Sequence, residues 1–388
     1  MADSYFEEEL LNTELKHNVL KKILLKSMSI ASVASYRNIS DLFGYVDLYA
    51  GEGQHDDGKK GSPLIALEVI DSFSTKNDFI EYKCIFTEID ENRCDKLQKN
   101  LSSFHNVMRK KEKVEIFCEK GNWCNHVESI IEILSKTRWG LIFADPFANQ
   151  INMDLFIKIL TTQKIYSSKD IMIFVNYTAL KRIIGTGHNA MIQSKVADFF
   201  GITVDDLNAQ INKEPSGNID FNLINKLFLD RLKETKKDYI CGFSIPNTKN
   251  GKLTNSDYFF LLFCTTDINM VDEFYKSYKY EMEKVKIDST FYCTLHIKID
   301  SLISNSPVTL LYIFTELTSS FISWKCSLPE DIPTKNQIID YLNDQSEKGL
   351  IRFELEDNNV LNKRSKNFPK LKMRLRKIDM EGIQIINV

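Results

Sequence analysis

Tyr45-Val46-Asp47-Leu48-Tyr49-Ala50-Gly51-Glu52-Gly53, continuing through Gln54 to Gly61 into Ser62-Pro63-Leu64-Ile65-Ala66-Leu67-Glu68, is the stretch whose reading decides the fold. It reads as a short apolar strand that breaks into a tight glycine turn, then a polar loop and a new helix. Glycine suits a turn whose backbone angles other residues resist, and it leaves bare backbone for a ligand to lie against. A strand, a glycine turn and a helix in that order open an α/β sheet. The weight of the reading then rests on whether further strands come after it, each ending in a useful side chain.

They do. Tyr82-Lys83-Cys84-Ile85-Phe86-Thr87-Glu88-Ile89-Asp90 is an apolar run ending in acids, and a helix-like segment spans 92–101. In nucleoside-binding Rossmann sheets an acid at the end of the second strand takes the two ribose hydroxyls, because a carboxylate offers two acceptors to two vicinal donors. Glu88 is the first candidate and Asp90 the second; the alternative is a strand-end acid facing water. The spacing of about 35 residues from Gly53 to Glu88 implies an extended loop between them. Val114-Glu115-Ile116-Phe117-Cys118 reads as a third strand leading to Lys120-Gly121-Asn122-Trp123. Trp139 to Ala144 reads as a buried strand ending in Asp145-Pro146-Phe147, and Asp170 to Tyr177 as a fifth strand. Tyr239 to Pro246 and Asp257 to Thr266 flank an Asn250-Gly251 pair, a hairpin signal.

The flanks have their own signals. Residues 1–13 form an acidic lead-in, and Leu15, Val19, Leu20, Ile23 and Leu24 then recur at helical spacing. His17 and Lys21 share a face of that helix and read as surface residues, with reach to a ligand mouth as the alternative. Residues 178–237 read as a helical insertion. It opens with Gly185-Thr186-Gly187-His188, which lacks the Lys-Ser/Thr of a phosphate loop and so reads as a lid. From 286 to 388 the pattern changes. Val308 to Leu317 and Thr334 to Glu347 read as helices, followed by two strands, the layout of a winged helix-turn-helix. Between Lys363 and Lys377 stand eight basic residues and no acid. Lys363, Arg364, Lys370, Lys372, Arg374 and Arg376 are candidate phosphate contacts; the other reading is a solvated edge strand whose charges block aggregation.

Composition narrows the class. A chain of 388 residues, 43% hydrophobic and 27% charged, has the length and balance of a two-domain globular protein. The net charge of −3 means that any nucleic-acid surface is local. Eight cysteines lie without a Cys-x-x-Cys pair, and nothing completes a zinc site around Cys118, Cys124 and His126, so no metal is expected. With neither a signal-peptide pattern nor an apolar run of ~18 residues, a cytoplasmic protein off the membrane is expected.

Asp47 to Gly53 resembles motif I of the class I S-adenosylmethionine (SAM) methyltransferases, and Asp145-Pro146-Phe147 resembles motif IV of those that act on amino groups. Together with His17 to Leu24, Gly61-Ser62-Pro63-Leu64, Glu88-Ile89-Asp90 and Tyr258 to Phe263, these stretches resemble the three-Cys-motif partner family over roughly residues 14–285. The resemblance implies a Rossmann-like sheet, mostly parallel with a terminal antiparallel hairpin, and a winged-helix tail. It implies SAM as cofactor, and a protein partner with a radical-SAM-like cysteine triad. Asp47, Ala50, Gly51 and Gly53 would then cradle the methionyl part, Glu88 the ribose and Asn122 the adenine, with Trp123 either flanking the ring or in the core. Asp145 and Pro146 would accept from a target amine and Phe147 would stack, although a single proline and Ala148 depart from the Asp-Pro-Pro-aromatic pattern. The expected function is methylation of an exocyclic, adenine-like amine of DNA or RNA. The alternative is a weakly active or inactive SAM-binding scaffold that works with its partner.

Overall fold

The computed structural model describes residues 2–35, 41–55, 57–146, 151–162, 168–176, 190–213, 221–249, 252–284, 308–309, 351–354 and 374–377. A long helix, α1 (Ala2–Ser35), precedes β1 (Asp41–Asp47), α2 (Ser62–Ser74), β2 (Ile80–Glu88), α3 (Glu91–Val107), β3 (Val114–Lys120) and α4 (Val127–Ser135). Then come β4 (Trp139–Ala144), α5 (Met153–Thr161) and β5 (Ser168–Asn176). Among the described residues of the insertion, three helices come next: α6 (Ala190–Phe200), α7 (Val204–Ile211) and α8 (Phe221–Lys233). The hairpin β6 (Tyr239–Lys249) and β7 (Lys252–Thr265) and the helix α9 (Ile268–Lys284) close this part of the chain.

The seven strands form one sheet in the order β3-β2-β1-β4-β5-β7-β6. The first five run parallel; β7 is antiparallel to both β5 and β6. The alternation of each strand divides the core between two faces. Phe43 and Tyr45 of β1, Leu141 and Phe143 of β4, and Met172 and Phe174 of β5 pack with α1, α2, α3 and α9. Val46, Ile142, Ala144, Ile171 and Ile173 pack on the other side with α4, α5 and the three insertion helices. Close packing at the centre requires glycine: Gly44 and Gly140 lie opposite one another, and a Cβ on Gly140 would stand 2.5 Å from the Gly44 carbonyl.

β6 and β7 pair as far as Lys249 and Lys252, on either side of Asn250-Gly251, with register shifts around Pro246, which has no N–H to donate. The acidic lead-in is no separate segment, since α1 already begins at Ala2. The lid at 183–188 lies outside the described residues.

In the C-terminal part, β8 (Val308–Thr309), β9 (Ile351–Glu354) and β10 (Arg374–Lys377) form an antiparallel sheet in the order β8-β10-β9. Two expectations change here. Val308 and Thr309 are strand rather than helix, as two adjacent β-branched residues favour. The basic strand is central in this sheet: Arg374 and Leu375 are paired on both sides, whereas Arg376 and Lys377 pair with β9 alone, so the edge reading fails for the first half of the strand. Lys363, Arg364, Lys370 and Lys372 and the helix expected at Thr334–Glu347 lie outside the described residues.

Candidate nucleotide and transfer site

The strand order reverses between β1 and β4: crossovers from β1 lead outward to β2 and β3, those from β4 to β5. In open parallel sheets ligands bind at the carboxyl ends of the strands beside such a switch. Asp47 is the last residue of β1, and Asp145 directly follows β4.

Asp47 is fully buried. Its Oδ1 accepts the Tyr49 N–H (3.2 Å), and the hydroxyl of Ser62 at the start of α2 reaches the same carboxyl. Oδ2 is buried with no partner among the described residues. Burial pushes the carboxyl up to about 7, with Asp145 adding to the rise while Ser62, Tyr49 and Lys16 oppose it.

The turn after β1 is pinned to the neighbouring strands. The Leu48 N–H donates to Phe143 O, the Ala50 N–H to Thr87 O, and the Thr87 hydroxyl to Leu48 O. Gly51 and Gly53 both have left-handed backbones, with φ of 64° and 78°. A Cβ on Gly51 would meet nothing within 4 Å, so the turn presents backbone to open space. Gly61 returns the loop by donating to Gly53 O (2.8 Å).

Glu88, buried at the end of β2, ties this turn to the next. Its Oε2 accepts the Gly51 N–H and its Oε1 the Asp90 N–H, each at 2.9 Å. One lone pair on each oxygen remains available to further donors. Asp90, by contrast, is exposed and caps α3 by accepting from the Arg93 N–H, so the structure separates the two acids considered at this position.

Beside Glu88 lies a cleft of about 620 Å³. Tyr49, Ile89, Asp90, Asn122 and Trp123 form one wall; Asn152 and, from α6 of the insertion, Lys195, Asp198 and Phe199 form the other. Ile89 is one of the few large apolar side chains left exposed, and it stands between the two acids. Asn122 is exposed at the cleft, with its amide oxygen accepting from the Cys124 N–H. Trp123 is 2% exposed and donates from Nε1 to the Tyr49 hydroxyl (2.8 Å), so it packs in the core while its exposed edge lines the cleft. Asp47, Ala50, Gly51 and Gly53 do not line this cleft.

Asp145 is half-buried and forms an ion pair through Oδ2 with the Lys16 ammonium of α1. Lys16 is itself nearly buried and lies over the Phe174 ring, 4.9 Å from its centroid. Sequence reading missed Lys16; its only signal was a lysine beside the apolar stripe. Its neighbour His17, expected at the surface, is half-buried. Burial, then Lys16, His55 and Lys21, hold its imidazole down at about 3. Lys21 is exposed, as expected, 3.6 Å from Glu68. Pro146 is buried; Phe147 lies outside the described residues. Among the described residues no cluster of His, Cys, Asp and Glu could hold a metal ion, and no helix is long and apolar enough to cross a membrane.

With this strand order the sheet is Rossmann-like, parallel except for the antiparallel pair at one edge. No family model matches the chain, and no curated protein does. Among solved structures, the DszA carbon methyltransferase is similar over 64% of this chain and 53% of its own, about half its length, at 9% identity and TM-score 0.36. The plantazolicin methyltransferase BamL, solved with SAH, is similar over 69% of this chain and 91% of its own, at 13% identity and TM-score 0.29. An rRNA methylase from Streptococcus thermophilus is similar over 61% and 95%, at 10% identity and TM-score 0.26. Such likenesses concern the fold alone.

Proposed function

We propose that the chain is a SAM-dependent methyltransferase acting on an exocyclic, adenine-like amine of a nucleic acid. The observation that supports the cofactor is the buried Asp47 carboxyl at the end of β1, its Oδ2 without a geometric partner among the described residues, four residues ahead of a left-handed glycine whose backbone faces open space. A buried carboxylate oxygen without a donor is costly, and a ligand ammonium would complete it. Glu88 would accept from the ribose hydroxyls with its remaining lone pairs, Ile89 would cover a face of the adenine, and Asn122 would meet its edge. When bound, SAM supplies a methyl group on a sulfonium, ready for in-line displacement. The protein's part is then mostly alignment. Oδ1 of Asp145 and the Pro146 carbonyl would accept protons of the target amine, with Phe147 against the base.

The nucleic-acid half rests on the basic run from Lys363 to Lys377 in the sequence. In register, Arg376 sits opposite Arg352 and Arg374 opposite Glu354, so the two strands together still carry net positive charge in a net-acidic chain. The test joins calorimetric titration with SAM and SAH to methyl transfer from labelled SAM onto adenine-containing single strands and duplexes. Changing Lys370, Lys372, Arg374 and Arg376 together to Ser should weaken nucleic-acid binding and reduce its salt slope by about four; an unchanged slope would remove the tail from the interface. One observation favours a second reading, the non-catalytic scaffold: Lys16 already engages Asp145. Tight SAM binding without transfer to any of these acceptors would select it.

A further inference from the structure

Two carboxyl groups flank the switch point, and a cation from outside the Rossmann unit is set against one of them. Lys16 comes from α1, and its side chain is 11% exposed where it meets Asp145, which is 27% exposed. A lysine held this far from water is retained at a cost unless its charge is used. Its position gives it a use. The donor of the proposed reaction carries a positive sulfonium, whereas the product left after transfer is neutral there. An uncompensated Asp145 would attract the donor before any acceptor had bound, which adds ground-state binding and does nothing for the transition state. An ion-paired Asp145 keeps its direction and loses most of its long-range field.

We propose that Lys16 is a positioning residue that balances the charge of Asp145 and thereby sets the relative affinity of the site for sulfonium donor and neutral product. The inference rests on the proposed SAM function. It assigns α1 to the transfer site as well as to the core.

The test is the ratio of SAM to SAH affinity, measured by calorimetry on the full chain at low salt. Unmasking Asp145 with Lys16→Met should raise the ratio on the order of tenfold, the scale of one unmasked unit charge in a partly buried site. Asp145→Asn, which leaves the ammonium alone, should lower it by a similar factor. Lys16→Arg should hold it within about twofold, and the neutral pair Lys16→Met/Asp145→Asn should return it to near the wild-type value. If Lys16→Met fails to fold, Asp145→Asn and the neutral pair carry the same test. Equal losses of SAM and SAH affinity in the single variants would mean a purely structural role and overturn the proposal, as would an unmoved ratio. A wild-type chain that binds neither ligand would instead refute the SAM reading, and the inference would fall with it.

Discussion

Asp47 offers the sharpest test of the site, because its burial makes both stability and ligand binding depend on pH. The folded-state carboxyl sits at about 7 against an ordinary 3.8. The folded protein therefore holds a proton that the unfolded chain has released between those values. Stability from this group is present below the unfolded value, declines as pH rises toward 7, and is flat above. A gap of about three units corresponds to roughly 4 kcal/mol, an order-of-magnitude ceiling for the whole decline. Asp47→Asn has no such proton to lose. The stability of the variant relative to wild type should rise by about 2–4 kcal/mol between pH 4 and 8, measured by urea unfolding. Taking this difference cancels other titrating groups, including Asp170, which burial raises to about 6. If a ligand ammonium completes Oδ2, binding needs the carboxylate. SAH affinity should then rise about tenfold from pH 6 to 8, with about 0.9 proton released per ligand at pH 6 and about 0.1 at pH 8. Calorimetry in buffers of different ionisation enthalpy reads that number directly. In Asp47→Asn affinity should be lower and the pH slope gone. A variant that binds as tightly as wild type, with the same slope, would refute the placement of an ammonium at Asp47.

Two further variants separate ligand from scaffold. Glu88→Gln keeps the shape but removes charge and one acceptor from the bonds to Gly51 and Asp90; SAH affinity should fall at least tenfold, with a stability loss of about 1–3 kcal/mol. Gly140→Ala drives a methyl into the Gly44 carbonyl at the sheet centre and should cost about 2–3 kcal/mol in unfolding free energy while leaving Glu88 and the cleft unchanged.

The sheet was legible because its strands are marked twice, by an apolar run and by the turn or acid at its end. Asp47-to-Gly53, Glu88 and the Asn250-Gly251 turn all mark boundaries with residues whose backbone or charge requirements are local. The insertion was legible as helical for the same reason. The sequence concealed whatever depends on distant partners. The surroundings of Asp47 come from distant segments: Ser62 of α2, Asp145 after β4 and Lys16 of α1. The far wall of the cleft comes from α6, about a hundred residues beyond Glu88. The central place of β10 depends on pairing with a two-residue strand that carries almost no periodic signal. Trp123 had two readings, core and cleft, and the structure gives it a part in each, bonded to the Tyr49 hydroxyl and lining the cleft.

Lys16 was hidden for a further reason: it belongs to the apolar stripe. Lys16, Leu20, Ile23 and Ser27 succeed one another at four, three and four residues, so they form a single row along α1. Leu20 and Ile23 are fully buried in the middle of that row. At its two ends the row becomes polar: Lys16 pairs with Asp145, and the Ser27 hydroxyl donates to Asp170 (3.0 Å). Asp170 also accepts from Thr265 on β7. Asp170 and Phe174, the residue under Lys16, lie four positions apart on β5, or about 13 Å at 3.3 Å per residue. The eleven residues from Lys16 to Ser27 span about 16 Å at 1.5 Å per residue. The helix is thus clamped along the strand by one polar contact near each end, with apolar contacts between them. A slip of α1 by one turn would move Lys16 about 5.4 Å from Asp145 and leave Asp170 with Thr265 alone. The packing that stabilises the first face of the sheet is therefore the same packing that sets the charge at the transfer site.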